Sequence, residues 1–304
     1  SGHGTVTIGS VEKYITDTAW EKGWIKPIKV ENEIDQSVAI IGSGPSGLAC
    51  AEELRKKHDA ILISTGVYKP REIELPGNDL ENIFPAMEFL TASNKKGLGD
   101  KVDLFDKGIL NAEGKDVIVI GGGDTAMDCV RTSVRQNARS VKCLYRRDKE
   151  NMPGSAREVA NAEEEGVKFI WLSSPKEFKG KNKIENLIVD QIKLGEPDDS
   201  GRRRPVIKDG SEFEIKADMV IKALGFDPEN LPLLFEAQEL QVTKWGTIKT
   251  NFDTMETNLK GVFAAGDIVR GASLVVWAIK DGRDAALSIK KYLENIKLEK
   301  IKVA

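Results

Sequence analysis

The chain has 304 residues, 40% hydrophobic and 31% charged, with a formal net charge of −3. That is the make-up of an ordinary globular chain of about two domains, not of a disordered or fibrous one. The mixed, slightly acidic surface offers no general attraction to nucleic acid, and no apolar run reaches the roughly 18 residues of a membrane span.

The pattern along the chain then divides it. Residues 1–34 read as an N-terminal arm. Within it, Val11, Tyr14, Ile15, Ala19 and Trp20 fall at helical spacing, so a packing helix is expected over 10–24, capped by Ser10. A buried-type strand, "SVAIIG" (37–42), leads into a glycine loop and a helix to about Lys57, with Pro45 near the first turn. A strand "AILIST" follows, then a turn and short helix over 77–90, and a loop or linker over 91–114. The pattern restarts at "KDVIVIGGGDTAMDCVRTSVRQNARSVKCLYRRD" (115–148) as strand, glycine turn, helix, strand. A helix over 155–166 and a strand over 167–172 come next. "NLIVDQIKL" and "PVIKDGSEFEI" form an antiparallel excursion around the polar loop "GEPDDSGRRR". "ADMVIKALGF" (217–226) is a buried strand, "GTIKT" (246–250) a further candidate, and "GVFAAGD" (261–267) a strand leading into a long helix that starts at Ser273. Alternating strands and helices give the α/β class.

Two glycine turns carry the chemistry. Gly42, Gly44 and Gly47 keep the G-x-G-x-x-G spacing between strand and helix, with Pro45 and Ser46 inside it. The first glycine allows the tight turn, the second admits a pyrophosphate to the backbone, and the third lets helix and strand close up. In the second turn, Gly121, Gly122, Gly123, Asp124, Thr125 and Ala126, an alanine takes the third place. The strand after it ends in Arg146 and Arg147. An acid there would hold a ribose 2′-hydroxyl, whereas two guanidiniums suit a 2′-phosphate, so this half is expected to bind NADPH rather than NADH. "ALG" (223–225) is placed to run near the nicotinamide, through Ala223 and Gly225. "GRRRP" (201–205) reads as a solvated hairpin loop. In "GVFAAGD", Gly266 lets a ligand pass close to backbone and Asp267 can accept from a hydroxyl such as the ribityl chain of FAD. The helix beginning at Ser273 and Leu274 turns its positive end towards a flavin. Cys50, Cys129 and Cys143 are too dispersed for a disulfide framework and contain no CxxC pair. They are expected as buried apolar residues, with no iron–sulfur cluster or redox dithiol in this chain. His3 and His58 are expected at the surface, with no metal constellation.

These segments resemble one family. "VAIIGSGPSGLACA", "VIVIGGGDTAMDCVRTSVRQ", "YRRDKENMPGSAREV", "GEPDDSGRRRP" and "GVFAAGDIVRG" are similar to the NADPH-dependent glutamate synthase small (beta) subunit, over nearly the whole chain. The resemblance implies two three-layer Rossmann-like domains, with an NADPH domain (106–225) inserted into a discontinuous FAD domain (35–105 and 226–304). It implies hydride transfer from NADPH to FAD, and electrons passed to a large subunit, or an equivalent acceptor, that makes glutamate from glutamine and 2-oxoglutarate. The cytoplasm is the expected location. Two departures stand out. The family carries a cysteine-rich N-terminal domain, and this sequence is expected to begin after it. Between "AEELRKK" and "HDAILISTG", near 57–58, it also carries several dozen more residues, including the strand whose acid holds the adenosine ribose. Either the two segments are joined here, or residues between them are missing from the sequence. The implied consequence is weakened FAD binding, and the rival reading is a truncated NADPH-binding module without turnover.

Overall fold

The structure, a computed structural model, describes residues 8–26, 37–42, 59–197 and 203–303. It divides into two compact units, residues 1–66 with 230–304, and residues 67–229. The expectations for Gly44, Pro45, Ser46, Gly47 and Cys50, for both histidines and for the junction at 57–58 lie outside the described residues.

In the first unit, helix α1 spans Ile8–Glu21. Ser10 therefore sits inside the helix rather than at its cap. The face expected to pack is open: Tyr14, Ile15 and Trp20 are all exposed. Strands β1 (Val38–Ile41) and β2 (Ala60–Ile63) pair in parallel.

The second unit begins with β3 (Lys69–Pro70), β4 (Ile83–Pro85) and α2 (Ala86–Gly97), followed by the single turn α3 (Asp103–Asp106). The loop expected over 91–114 is thus partly helical, because Phe89 and Ala92 of α2 are buried and pull the helix onto the sheet. Next come β5 (Asp116–Ile120), α4 (Asp124–Arg135), β6 (Ser140–Leu144), α5 (Ala156–Glu164) and β7 (Lys168–Ile170). The excursion is β8 (Ser173–Lys179), β9 (Asn186–Pro197), β10 (Arg203–Ile207) and β11 (Phe213–Lys216). One expected strand, "PVIKDGSEFEI", is two, and each pairs with a different half of β9. Arg203 and Arg204, assigned above to a loop, lie in β10. The unit closes with β12 (Met219–Lys222) and β13 (Phe226–Asp227).

Its main sheet is parallel, in the order β4-β12-β5-β6-β7. Every residue of β5 is buried, and alternate residues serve opposite layers, as the two-residue period of a strand requires. Val117 and Val119 join Met127, Val130, Val159 and Phe89 from the helices. Ile118 and Ile120 join Phe178, Leu187, Val189 and Ile215 from the antiparallel excursion. The unit is therefore three layers: helices, parallel sheet, antiparallel sheet. Residues 67–105 group with this unit, unlike the boundary drawn at 105, because β4 pairs β12 and α2 packs in the same core.

The chain then returns to the first unit with α6 (Leu231–Leu234), β14 (Val262–Ala264), α7 (Asp267–Arg270) and α8 (Val275–Val303). β14 completes a parallel sheet β1-β2-β14. Leu62, Phe263, Ala285, Ile289 and Leu293 form its core against α8. "GTIKT" makes no strand; Ile248 forms a single bridge with Val242.

At the N-terminal edge of the second unit's parallel sheet, Arg139 ties β5, β6 and β12 together. Its guanidinium donates to both oxygens of Asp116, at 3.1 and 2.6 Å, and also to Asp218. Ser140 adds a bond to Asp116 at 2.8 Å. The Arg139 hydrogen bonds hold the Asp116 carboxyl at about 2, well below its ordinary value. Because folding lowers this pKa, the stabilisation is complete above about pH 4 and fades as pH falls towards 2. With Arg139 half exposed, Asp116→Asn should cost about 1–2 kcal/mol at pH 7. Urea unfolding of both proteins between pH 7 and pH 3 should show that gap narrowing at the acid end.

Candidate functional site

The second glycine turn sits where β5 meets α4, at the C-terminal edge of the parallel sheet. Gly121 has φ +147°, and a Cβ there would lie 2.1 Å from the Ala223 carbonyl oxygen on the neighbouring β12 side. A Cβ on Gly122 would meet the Tyr145 ring at 2.4 Å. Gly123 differs: it precedes α4 with φ −90° and ψ 178°, and a Cβ there meets nothing within 4 Å. That open space belongs to a cavity of about 460 Å³ contained in the second unit.

The cavity gathers much of what the sequence singled out. Gly121, Gly122, Gly123 and Thr125 form its floor at the head of α4. Arg146 and Arg147 stand at one side and Ala223 and Gly225 at the other. The strand order explains the split: β6 and β12 flank β5 on opposite sides, so the turn lies at the switch point of the sheet. Arg146 is exposed and Arg147 is half-buried. The Nε of Arg147 is buried without a hydrogen-bond partner. A buried, unsatisfied guanidinium donor is costly and marks a place where an acceptor belongs.

Asp124 and Ala126 have other work. The Asp124 carboxylate accepts the Ser155 backbone N–H at 2.8 Å. The Gly154 N–H donates to the Gly122 carbonyl at 2.8 Å, and the Tyr145 hydroxyl to the Asn151 carbonyl at 3.1 Å. Together these bonds strap residues 151–155 onto the glycine turn. Ala126 is fully buried in the helix-side core, where its methyl occupies the place a third glycine would leave empty.

Other wall residues were not anticipated: Arg71, Glu72 and Ile73, Tyr145, and Ser173, Ser174 and Pro175. Only the fold brings these three stretches to one place. Tyr145 had a local signal, since it sits directly before the arginine pair.

Cys129 and Cys143 are fully buried, as expected. Burial pushes both thiols up, Cys143 to about 12, so neither supplies a thiolate at neutral pH. Cys143 donates to the Gly121 carbonyl at 3.4 Å and so braces the turn.

In the first unit, Gly42 ends β1 with φ +115°, and a Cβ would lie 2.4 Å from the Ser64 carbonyl oxygen. Gly266 has φ +81°, and Asp267 follows it at the start of α7. The Ser273 hydroxyl donates to Asp267 at 2.8 Å. Helix α8 starts at Val275, two residues later than expected, and Ser273 and Leu274 lie exposed in the connection before it. Arg270 forms a bidentate pair with the buried Asp281, at 2.5 and 2.7 Å, and its guanidinium lies 5.2 Å from the Trp277 ring. This pair fixes the head of α8 against α7.

Comparison with known proteins agrees with this geometry. The family model described as pyridine nucleotide-disulphide oxidoreductase matches residues 55–282. The glutamate synthase [NADPH] small chain of Azospirillum brasilense is 50% identical, across 96% of this chain and 74% of its own length. A putative glutamate synthase [NADPH] small chain of Cereibacter sphaeroides is 51% identical, across 96% and 86%. The alignment to the Azospirillum chain runs over 355 positions. That exceeds the 304 residues of this chain, so several dozen residues of the relative have no counterpart here. Among solved structures, FprA of Mycobacterium tuberculosis in complex with NADPH superposes with a TM-score of 0.68 at 17% identity, covering 87% of this chain and 86% of that one. Thioredoxin reductase of Lactococcus lactis gives 0.65 at 20%, covering 86% and 100%. These last two establish the fold, and the sequence relatives go further: the chain belongs to the pyridine nucleotide-disulphide oxidoreductase family and, within it, to the glutamate synthase [NADPH] small chains.

Proposed function

We propose that the chain is an NADPH:FAD oxidoreductase module, in which residues 67–229 bind NADPH and the unit built from 1–66 and 230–304 binds FAD. The observation that carries this is the orphaned Arg147 Nε on the wall of a cavity floored by a glycine turn. The turn presents backbone N–H groups and the positive end of α4 to a pyrophosphate. Arg146 and Arg147 supply two guanidiniums for a 2′-phosphate, a group that NADH lacks. In the other unit, the close approach at Gly42 and the bend at Gly266 let backbone meet a second dinucleotide, and Asp267 is oriented by Ser273 to accept from a ribityl hydroxyl. Bound FAD supplies an acceptor for the hydride and a donor of single electrons beyond it. The protein's own contribution is to orient the two rings and exclude water, so no acid or base is assigned.

The family relationship extends the reading to a glutamate synthase large subunit, or an equivalent acceptor, as partner. No helix among the described residues is long and apolar enough to cross a membrane.

One observation favours a second reading. The residues absent relative to the Azospirillum chain fit a module that binds NADPH without turnover. The visible spectrum of the purified protein separates the two. Flavin absorbance that bleaches anaerobically on adding NADPH supports the oxidoreductase; a colourless protein that binds NADPH supports the module.

Two substitutions test the nucleotide site. Replacing Arg146 and Arg147 with Met should weaken NADPH binding by about 10- to 100-fold and leave NADH within about threefold. Thermal stability should hold or rise, because an unsatisfied buried donor is removed with the second arginine. Gly123→Ala should likewise fold, since its Cβ meets nothing within 4 Å, yet lose nucleotide affinity by filling the cradle. Gly121→Ala, with both an overlap and a positive φ, should lose roughly 3 kcal/mol or more by thermal unfolding.

A further inference from the structure

We infer that Glu72 grips the nicotinamide carboxamide and favours the oxidised ring, an inference that rests on residues 67–229 being the NADPH unit. The sheet order fixes which end of the nucleotide lies where. With its pyrophosphate at the turn after β5 and its 2′-phosphate at the arginines after β6, the molecule must lay its other half over the end of β12. There the wall is Ala223, Leu224 and Gly225, faced by Arg71, Glu72 and Ile73.

Arg71 is held by its Nε and its backbone. Its side chain binds Asp227 at 2.7 Å, and its backbone N–H donates to the Gly225 carbonyl at 3.0 Å, which hooks the segment across the strand end. Lys222, the last residue of β12 and 8% exposed, donates to Glu72 Oε2 and to Asn78 Oδ1 at 3.3 Å. No hydrogen bond to Glu72 Oε1 is formed among the described residues, although a carboxylate has room for about four. Glu72 borders the cavity and is half exposed, whereas Lys222 is buried and does not border it, so the negative member of the pair is the one a ligand can reach.

The chemistry of the ring matches that end twice over. The carboxamide NH₂ offers a donor to Oε1 in both redox states. Departure of the hydride leaves a positive charge on the ring, which a nearby carboxylate stabilises and a neutral amide does not. Glu72 thus orients the reduced ring and binds the oxidised one more tightly.

The test is calorimetric titration of the full chain with NADP⁺, NADPH and the 3-acetylpyridine analogue of NADP⁺, whose methyl group replaces the carboxamide NH₂. The wild type should bind the analogue about tenfold more weakly than NADP⁺. In Glu72→Gln that discrimination should vanish, and NADP⁺ should weaken about tenfold against about threefold for NADPH. Glu72→Met/Lys222→Met, which leaves no buried ammonium unpaired, should show the same pattern if the single variant folds poorly. Equal binding of NADP⁺ and the analogue by the wild type, or an equal loss of NADP⁺ and NADPH in the variants, overturns the role of Glu72 while leaving the NADPH unit standing. A wild type that binds none of the three overturns the NADPH reading itself.

Discussion

Between the C-terminal ends of β5 and β12 there is room for a hydrogen atom on Gly121 and for nothing larger: a methyl carbon would lie 2.1 Å from the Ala223 carbonyl oxygen. The register between the two strands ends here, and the cavity is lined from this point on. Had any side chain stood at 121, β5 and β12 could not pair in the register that joins Ile120 to Lys222. Ala223 and Gly225 would then be displaced from the wall opposite the arginines.

The two edges of this sheet are built on opposite principles. At the N-terminal edge, Arg139 fills the gap between strands with charge-assisted bonds to Asp116 and Asp218. At the C-terminal edge β5 runs into three glycines, and the Nε of Arg147 after β6 is left without a partner. Rigidity at one end permits incompleteness at the other. The strap of residues 151–155 continues the same logic, since it holds the glycine turn from outside and leaves the cavity face clear. Asp124, so placed, spends its charge on the Ser155 N–H rather than presenting it to a phosphate.

The second glycine turn, the arginine pair at a strand end and the buried strands were legible in the sequence because each is a local pattern: a spacing of glycines, a strand end, a period of two. The Arg71–Ile73 and Ser173–Pro175 walls were not, because nothing local distinguishes them and only strand pairing carries them to the cavity. The helix over 91–97 was obscured by Lys- and Gly-rich composition, and Phe89 and Ala92 override it through burial. α1 shows the reverse error. Apolar spacing suggests a packed face, yet Tyr14, Ile15 and Trp20 meet solvent. β2 lies between β1 and β14 and is followed by Ser64 and Thr65, not by the acid that a ribose would require.

The two sulfurs in the helix-side core of the second unit bear on how such a protein would survive its own chemistry. Enzymes that carry reduced flavin leak electrons to oxygen, and the peroxide formed attacks thiolates first. Cys129 and Cys143 stand fully buried and protonated, one of them bonded to the turn itself. Cys143 braces the turn, and neither sulfur offers an oxidant a thiolate at neutral pH.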